Sequence, residues 1–262
     1  MNPSKKLAVL IFAGLVALSA TLQAQTDATP ASAPLRAVIM QTEPWGFLPK
    51  SADDGKAAMP VGIWLDVAAL IEAESGVTMI KTLKPYARLW QELDQGTADL
   101  SFLIRSADRE GQYAHAGRMF DFGSVVLADK NHPLPNYEAL TGLRIGVMRG
   151  IRLSPRFDAD SALNKVEVRD YETMLQMLRE GRLDAVAGNS VSLHYLVKSM
   201  SLEAQVGAQW VLQVTPVTVH VSKHYGDPEV LRRIESAVQR LEREGAFEAI
   251  IDRWAGRGWR VN

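Results

Sequence analysis

A segment that occurs twice limits this chain more than any other feature. Tyr86-Ala-Arg-Leu-Trp-Gln-Glu-Leu-Asp-Gln-Gly-Thr-Ala-Asp99 matches Tyr171-Glu-Thr-Met-Leu-Gln-Met-Leu-Arg-Glu-Gly-Arg-Leu-Asp184 without a gap, at one constant offset, with five identities in fourteen. Each copy reads as an amphipathic helix stopped by a glycine that can adopt the left-handed conformation. A short apolar strand follows each copy, Leu100 to Ile104 after the first and Ala185 to Ala187 after the second. A fold built twice from helix–Gly–strand units predicts two similar α/β lobes.

The remaining periodicity agrees. Leu35 to Gln41, Val77 to Leu83, Leu143 to Met148 and Val166 to Arg169 read as strands, and Gly62 to Ser75 and Val191 to Met200 as helices. Strands alternating with helices imply parallel sheets covered by helices. Two extended runs, Gly123 to Ala128 and Val211 to Val221 (interrupted by Pro216), flank the second unit. They are placed as two crossing strands joining the lobes would be. Asp227-Pro228 is a good helix start, and stripes of apolar residues up to Gly245 and Gly256 read as two final helices that pack on a core.

Composition narrows the chemistry. The chain has 262 residues, 29 Lys+Arg, 30 Asp+Glu and no cysteine. Near-zero net charge gives no electrostatic basis for nucleic-acid binding. Without cysteine there is no disulfide, thiolate nucleophile or iron–sulfur cluster. The five histidines lack His-Glu-x-x-His spacing, which argues against a zinc hydrolase. No cofactor is expected. Met1 to Ala24, with Lys5 and Lys6 before an apolar run, reads as a cleaved secretory signal peptide, and residues 25–34 as a polar linker. The apolar run, Leu7 to Leu22, is short of the ~20 residues that span a bilayer. The mature protein is expected to be exported, periplasmic and monomeric.

Seven motifs occur in a fixed order: Glu43-Pro-Trp-Gly-Phe47, Gly62-Ile-Trp-Leu-Asp-Val67, Leu93-x-x-Gly96-x-x-Asp99, Ser106-Ala-Asp-Arg-Glu110, Leu140-Thr-Gly-Leu-Arg-Ile-Gly-Val147, Leu178-x-x-Gly181-x-x-Asp184 and Gly245-Ala-Phe-Glu-Ala-Ile-Ile-Asp-Arg-Trp-Ala-Gly256. Together they resemble the periplasmic solute-binding proteins of the polar amino acid type, family 3 of the extracellular solute-binding proteins. The resemblance implies a type II periplasmic-binding-protein fold, with two α/β lobes joined by a two-strand hinge. It places lobe 1 at about residues 35–124 and 222–262, and lobe 2 at 125–221. It implies closure on a small carboxylate-bearing solute, an amino acid or related organic acid, for delivery to an inner-membrane ABC permease or a receptor.

The resemblance also nominates residues. Arg109 corresponds to the family's carboxylate-gripping arginine. Read alone beside Asp108 and Glu110 it is a solvated surface residue, and Arg105 is its competitor. Ser106 matches a hydroxyl that helps hold the carboxylate. Tyr86 and Trp45 would supply aromatic walls, although Tyr86 also reads as a packing residue like its repeat partner Tyr171. Arg88 reads equally as cleft or solvent. Gly150 can let backbone approach the solute, while Arg149 and Arg152 read as added cleft charge or as surface. Asn189 stands where amino-acid binders commonly carry an Asp for the ligand's ammonium group, and it has no charge to balance a buried cation. Cyclohexadienyl dehydratases resemble the same family. In that alternative Glu43 is the only acid nominated for acid/base work. A third reading is a sensor subunit for a membrane receptor.

Overall fold

A computed structural model of the protein describes residues 33–49, 59–105, 109 and 111–261. The signal-peptide segment and residues 25–32 lie outside the described residues, as does Ser106. In chain order the elements are β1 (Leu35–Met40), α1 (Ile63–Ser75), β2 (Met79–Lys84), α2 (Tyr86–Asp94), β3 (Leu100–Ile104), β4 (Ala114–Asp129), β5 (Arg144–Met148), α3 (Pro155–Ala159), β6 (Asn164–Val168), α4 (Tyr171–Arg179), β7 (Ala185–Asn189), α5 (Ser190–Ser199), β8 (Val206–Val221), α6 (Pro228–Arg243) and α7 (Ala246–Ala255). A 3-10 turn covers Tyr137–Leu140.

The strand order is β2-β1-β3-β8-β4-β7-β5-β6. It reads as two equivalent halves, 2-1-3-8 and 6-5-7-4, that meet between β8 and β4. Within each half the three short strands pair in parallel, and the long strand closes the set antiparallel. β4 and β8 contain 16 residues each. At about 3.3 Å per residue each runs roughly 50 Å, enough to serve both lobes. The sequence predicts shorter runs here. The added length comes from polar stretches such as Ala114-His-Ala-Gly-Arg118, whose pairing with β8 is interrupted by bulges. Pro216 does not end β8, because the β3 ladder stops at the Ile104–Val217 pair, one residue away.

Alternation along the strands builds a core on each face of each lobe. In lobe 1, Leu35, Ala37 and Ile39 pack against Val67, Ile71, Ile234 and Ile251 of α1, α6 and α7. Val38 faces the other way, onto Leu89, Trp90 and Leu93 of α2. In lobe 2, Val125 and Leu127 of β4 meet Met174, Leu178 and Leu193 of α4 and α5, while Val126 and Ala128 meet Leu140 and Phe157. Helix α5 has two buried faces. Val191 belongs to the first lobe's core, with Tyr195 packed against it, whereas Leu193 and Val197 belong to the second lobe's core.

The repeat extends to individual hydrogen bonds. Gly96 and Gly181 both sit at φ 67. The backbone N–H of Arg36 donates to Asp99 Oδ2 at 2.7 Å, and its guanidinium reaches Asp99 Oδ1 at 2.5 Å and the Gly96 carbonyl at 2.8 Å. In the second copy Arg144 makes the same bonds, to Asp184 Oδ2 at 2.8 Å, Asp184 Oδ1 at 2.7 Å and the Gly181 carbonyl at 2.8 Å. The fork geometry of the guanidinium suits a carboxylate and a helix-end carbonyl together.

The hydrogen bond from Arg144 holds the Asp184 carboxyl down, to about 2. A depressed acid contributes stability above its unfolded pKa, and that contribution is lost as pH falls through the folded value. An acid-denaturation series is therefore expected to show Asp184→Asn less stable than wild type at pH 7, with the difference narrowing between pH 4 and pH 2. A constant difference over that window would mean that Asp184 acts through packing alone.

Candidate functional site

Strand direction fixes where the two lobes face each other. β3 runs antiparallel to β8 and β7 antiparallel to β4, while β4 and β8 run antiparallel to one another. The C-terminal ends of β1 and β3 therefore point toward lobe 2, and those of β5 and β7 toward lobe 1. In α/β sheets the crevice outside such strand ends is where ligands bind. The gap can be sized from the register. Ile104 pairs with Val217, whereas Asn189 pairs with Ser124, which pairs with Gln213. Four residue steps along β8 separate those positions, roughly 13 Å of strand.

On the lobe 1 side, the structure brings Tyr86 and Arg109 together around one indole. The Arg109 guanidinium lies 4.3 Å from the Trp90 ring centroid, and Tyr86 meets the same ring edge-on at 6.4 Å. Arg109 Nη1 also donates to Tyr113 Oη at 3.4 Å, and that hydroxyl donates to Asp94. Burial and the Asp94 bond push the Tyr113 phenol up to about 12. It stays protonated, so it holds Arg109 as a neutral partner. Tyr86 is 44% exposed. Arg88 is exposed and donates to Gln91 Oε1 at 3.1 Å on its own helix.

Trp45 is expected to line an open wall, but it is only 4% exposed. It stacks on Trp64 at 4.7 Å, and its indole N–H donates to Ser192 Oγ on α5 at 2.9 Å. Two residues earlier, Glu43 Oε1 accepts a hydrogen bond from Tyr195 of α5 at 3.0 Å. Burial, reinforced by Glu43, pushes the Tyr195 phenol up to about 12. The loop after β1 is thus tied to a helix that packs on both cores. Ser192 and Tyr195 were not nominated by the sequence, since nothing local marks contacts between segments so far apart along the chain.

On the lobe 2 side, Gly150 follows β5 at φ 77, with open space where a Cβ would be. Arg149 pairs with Glu167 at 3.2 Å, whereas Arg152 makes no ion pair among the described residues. Asn189 ends β7 and caps α5, its Oδ1 accepting the Ser192 backbone N–H at 2.9 Å. Its own backbone N–H donates to Tyr171 Oη at 3.2 Å. Tyr171 is buried, unlike its repeat partner Tyr86. Its ring lies 2.3 Å from where a Cβ on Gly188 would stand, so glycine makes room for it. The equivalent of Gly188 in the first copy, by the same offset, is Leu103.

Among the described residues, no group of three or more His, Asp or Glu could hold a metal ion, and no helix is long and apolar enough to cross a membrane.

Two lobes, two long connecting strands and opposed strand ends define a type II periplasmic-binding-protein fold, and solved structures bear this out. The fold resembles that of "Ancestral Cationic Amino Acid Solute Binding Protein (AncCDT-1)", with TM-score 0.68 and 18% identity over 85% of this chain and 95% of that one. It also resembles the second substrate binding domain of a putative amino acid ABC transporter from Streptococcus pneumoniae (TM-score 0.64, 19% identity, 85% and 100% covered). A histidine kinase sensor domain with similarity to periplasmic binding proteins gives TM-score 0.63 and 19% identity, with 86% and 96% covered. The chain belongs to the bacterial extracellular solute-binding proteins, family 3, whose model matches residues 37–257. No curated protein matches it by sequence.

Proposed function

We propose that this protein, exported to the periplasm, binds a small carboxylate-bearing solute between its lobes and delivers it to an ABC-type importer. The observation that carries this reading is that the ends of β3 and β7 oppose each other, offset by about 13 Å along β8, with Arg109 five residues beyond β3 on one side and Gly150 and Asn189 on the other. Closure excludes water and strengthens the charged contacts inside. Micromolar affinity requires about −8 kcal/mol. Arg109, Tyr86 and backbone groups beside Gly150 are the proposed contributors. Neighbours named for amino-acid binding and transport support the solute class, and the family's description supports the extracytoplasmic location.

Binding is proposed to occur without catalysis, because Glu43, the acid nominated for catalysis, is engaged by Tyr195. A second reading, a subunit that presents its closed form to a membrane receptor, is favoured by the sensor-domain neighbour.

A thermal-shift screen of amino acids, organic acids and amines tests the proposal. At 100-fold over its dissociation constant a ligand adds about 2.7 kcal/mol. For a chain of this size that raises Tm by about 5–10 °C. A shift from carboxylates is the expected result. Shifts confined to uncharged or cationic compounds, or turnover of prephenate to an aromatic product, would overturn it.

A further inference from the structure

The cap at the start of α5 fixes more than a helix end. The Ser192 backbone N–H can only donate, so the Asn189 atom facing it at 2.9 Å must be the carbonyl oxygen. The amide nitrogen therefore occupies the other position. It makes no hydrogen bond among the described residues and is not among the buried, unpaired side-chain atoms. At the C-terminal end of β7, lobe 2 thus offers a donor. An aspartate there would cap the helix equally well, but it would turn a negatively charged acceptor to the same place.

The neighbouring strand exit has the same polarity. Arg152 lies two residues beyond Gly150, is exposed, and has no ion pair or side-chain hydrogen bond among the described residues. Glu172, on the first turn of α4, is exposed and makes no ion pair among the described residues, but it follows β6, which β5 separates from β7. The other acids at these exits are engaged. Glu167 pairs with Arg149 at 3.2 Å, Asp158 accepts the Leu153 N–H at 3.2 Å, and Asp170 caps α4 while pairing with Arg169 at 2.7 Å. The exits of β5 and β7 therefore carry an amide donor and a guanidinium, and the acids beyond β5, Asp158 and Asp160, both accept hydrogen bonds.

We infer that the solute turns an anionic, hydrogen-bond-accepting group toward Asn189 and Arg152, and that the ligand class is a short dicarboxylate. One carboxylate meets Arg109 on lobe 1 and the other meets these two residues on lobe 2. This inference rests on the binding function proposed above and narrows it. An α-ammonium group at the same place would face a donor and a cation, and burying it there would be costly.

Glutarate and 5-aminovalerate, which differ in having a carboxylate or an ammonium at the second end, separate the possibilities by calorimetric titration. Wild type is expected to bind glutarate at least tenfold more tightly. Asn189→Asp keeps the cap and is expected to shift that preference at least tenfold toward 5-aminovalerate. Arg152→Gln is expected to weaken glutarate about tenfold while changing 5-aminovalerate little. Wild type that prefers 5-aminovalerate or a standard amino acid, or variants that leave the ratio unchanged, would overturn the inference but not the binding function. Failure of every carboxylate to bind the folded wild type would overturn both.

Discussion

Arg109→Ala is expected to weaken solute binding by about 10- to 150-fold while leaving the protein folded. A hydrogen bond to a charged group contributes roughly 1.5–3 kcal/mol, and that range is taken for the forked arginine–carboxylate contact as a whole. The structural cost is smaller. Arg109 loses its place over Trp90, worth about 0.5–1 kcal/mol at an exposed site, and its long bond to Tyr113. Titration of the cognate solute with thermal melting in parallel separates the two effects. Arg109→Lys keeps the charge but not the fork, so it should recover only part of the affinity. If the alanine variant bound within a few-fold of wild type, Arg109 would be a packing residue of the α2 face, and Arg105 or Arg88 would be the next arginine to test.

The largest loss of stability is expected at Trp45. Trp45→Ala removes a side chain that is 4% exposed, stacked on Trp64 and bonded to Ser192. Truncating a buried tryptophan costs about 3–5 kcal/mol. At about 2–4 °C per kcal/mol the melting temperature should fall by roughly 6–20 °C. Trp45→Phe keeps most of the ring and leaves the Ser192 hydroxyl without its donor, so it should cost about 1–3 kcal/mol. A Trp45→Ala variant that melted within about 2 °C of wild type, less than 1 kcal/mol at that conversion, would show the ring to be dispensable to the core.

These two residues also mark how far the sequence could be read. The helix–Gly–strand units were legible because their period, their apolar face and their glycine stop are all local. The bonds of Arg36 and Arg144 to the two aspartates were not, because those arginines do not share the spacing of the repeat and fall outside the repeated window. Tyr86 and Tyr171 look alike in sequence, yet one is exposed and the other enclosed. Gly188 leaves room for the Tyr171 ring, while the equivalent position in the first copy carries Leu103. Trp45 reads as a loop aromatic, and its enclosure depends on a helix that begins only at Ser190, in the other half of the chain. Arg109 and Tyr86 were nominated separately, and it is the intervening Trp90 that brings them into one cluster.

Helix α5, with Val191 and Tyr195 on one core and Leu193 and Val197 on the other, bears on the lobe closure proposed above. A pair of lobes joined only by two ribbons could swing freely. Under that closure, a rotation of one lobe on the other would also move α5 against two packed surfaces. Side chains facing α5 would then contribute to the free-energy difference between the open and closed forms. Apparent affinity scales with the fraction of molecules in the competent form. Substitutions at Tyr195 or Ser192 would then retune affinity in either direction by shifting that equilibrium, acting as a tension screw on the joint.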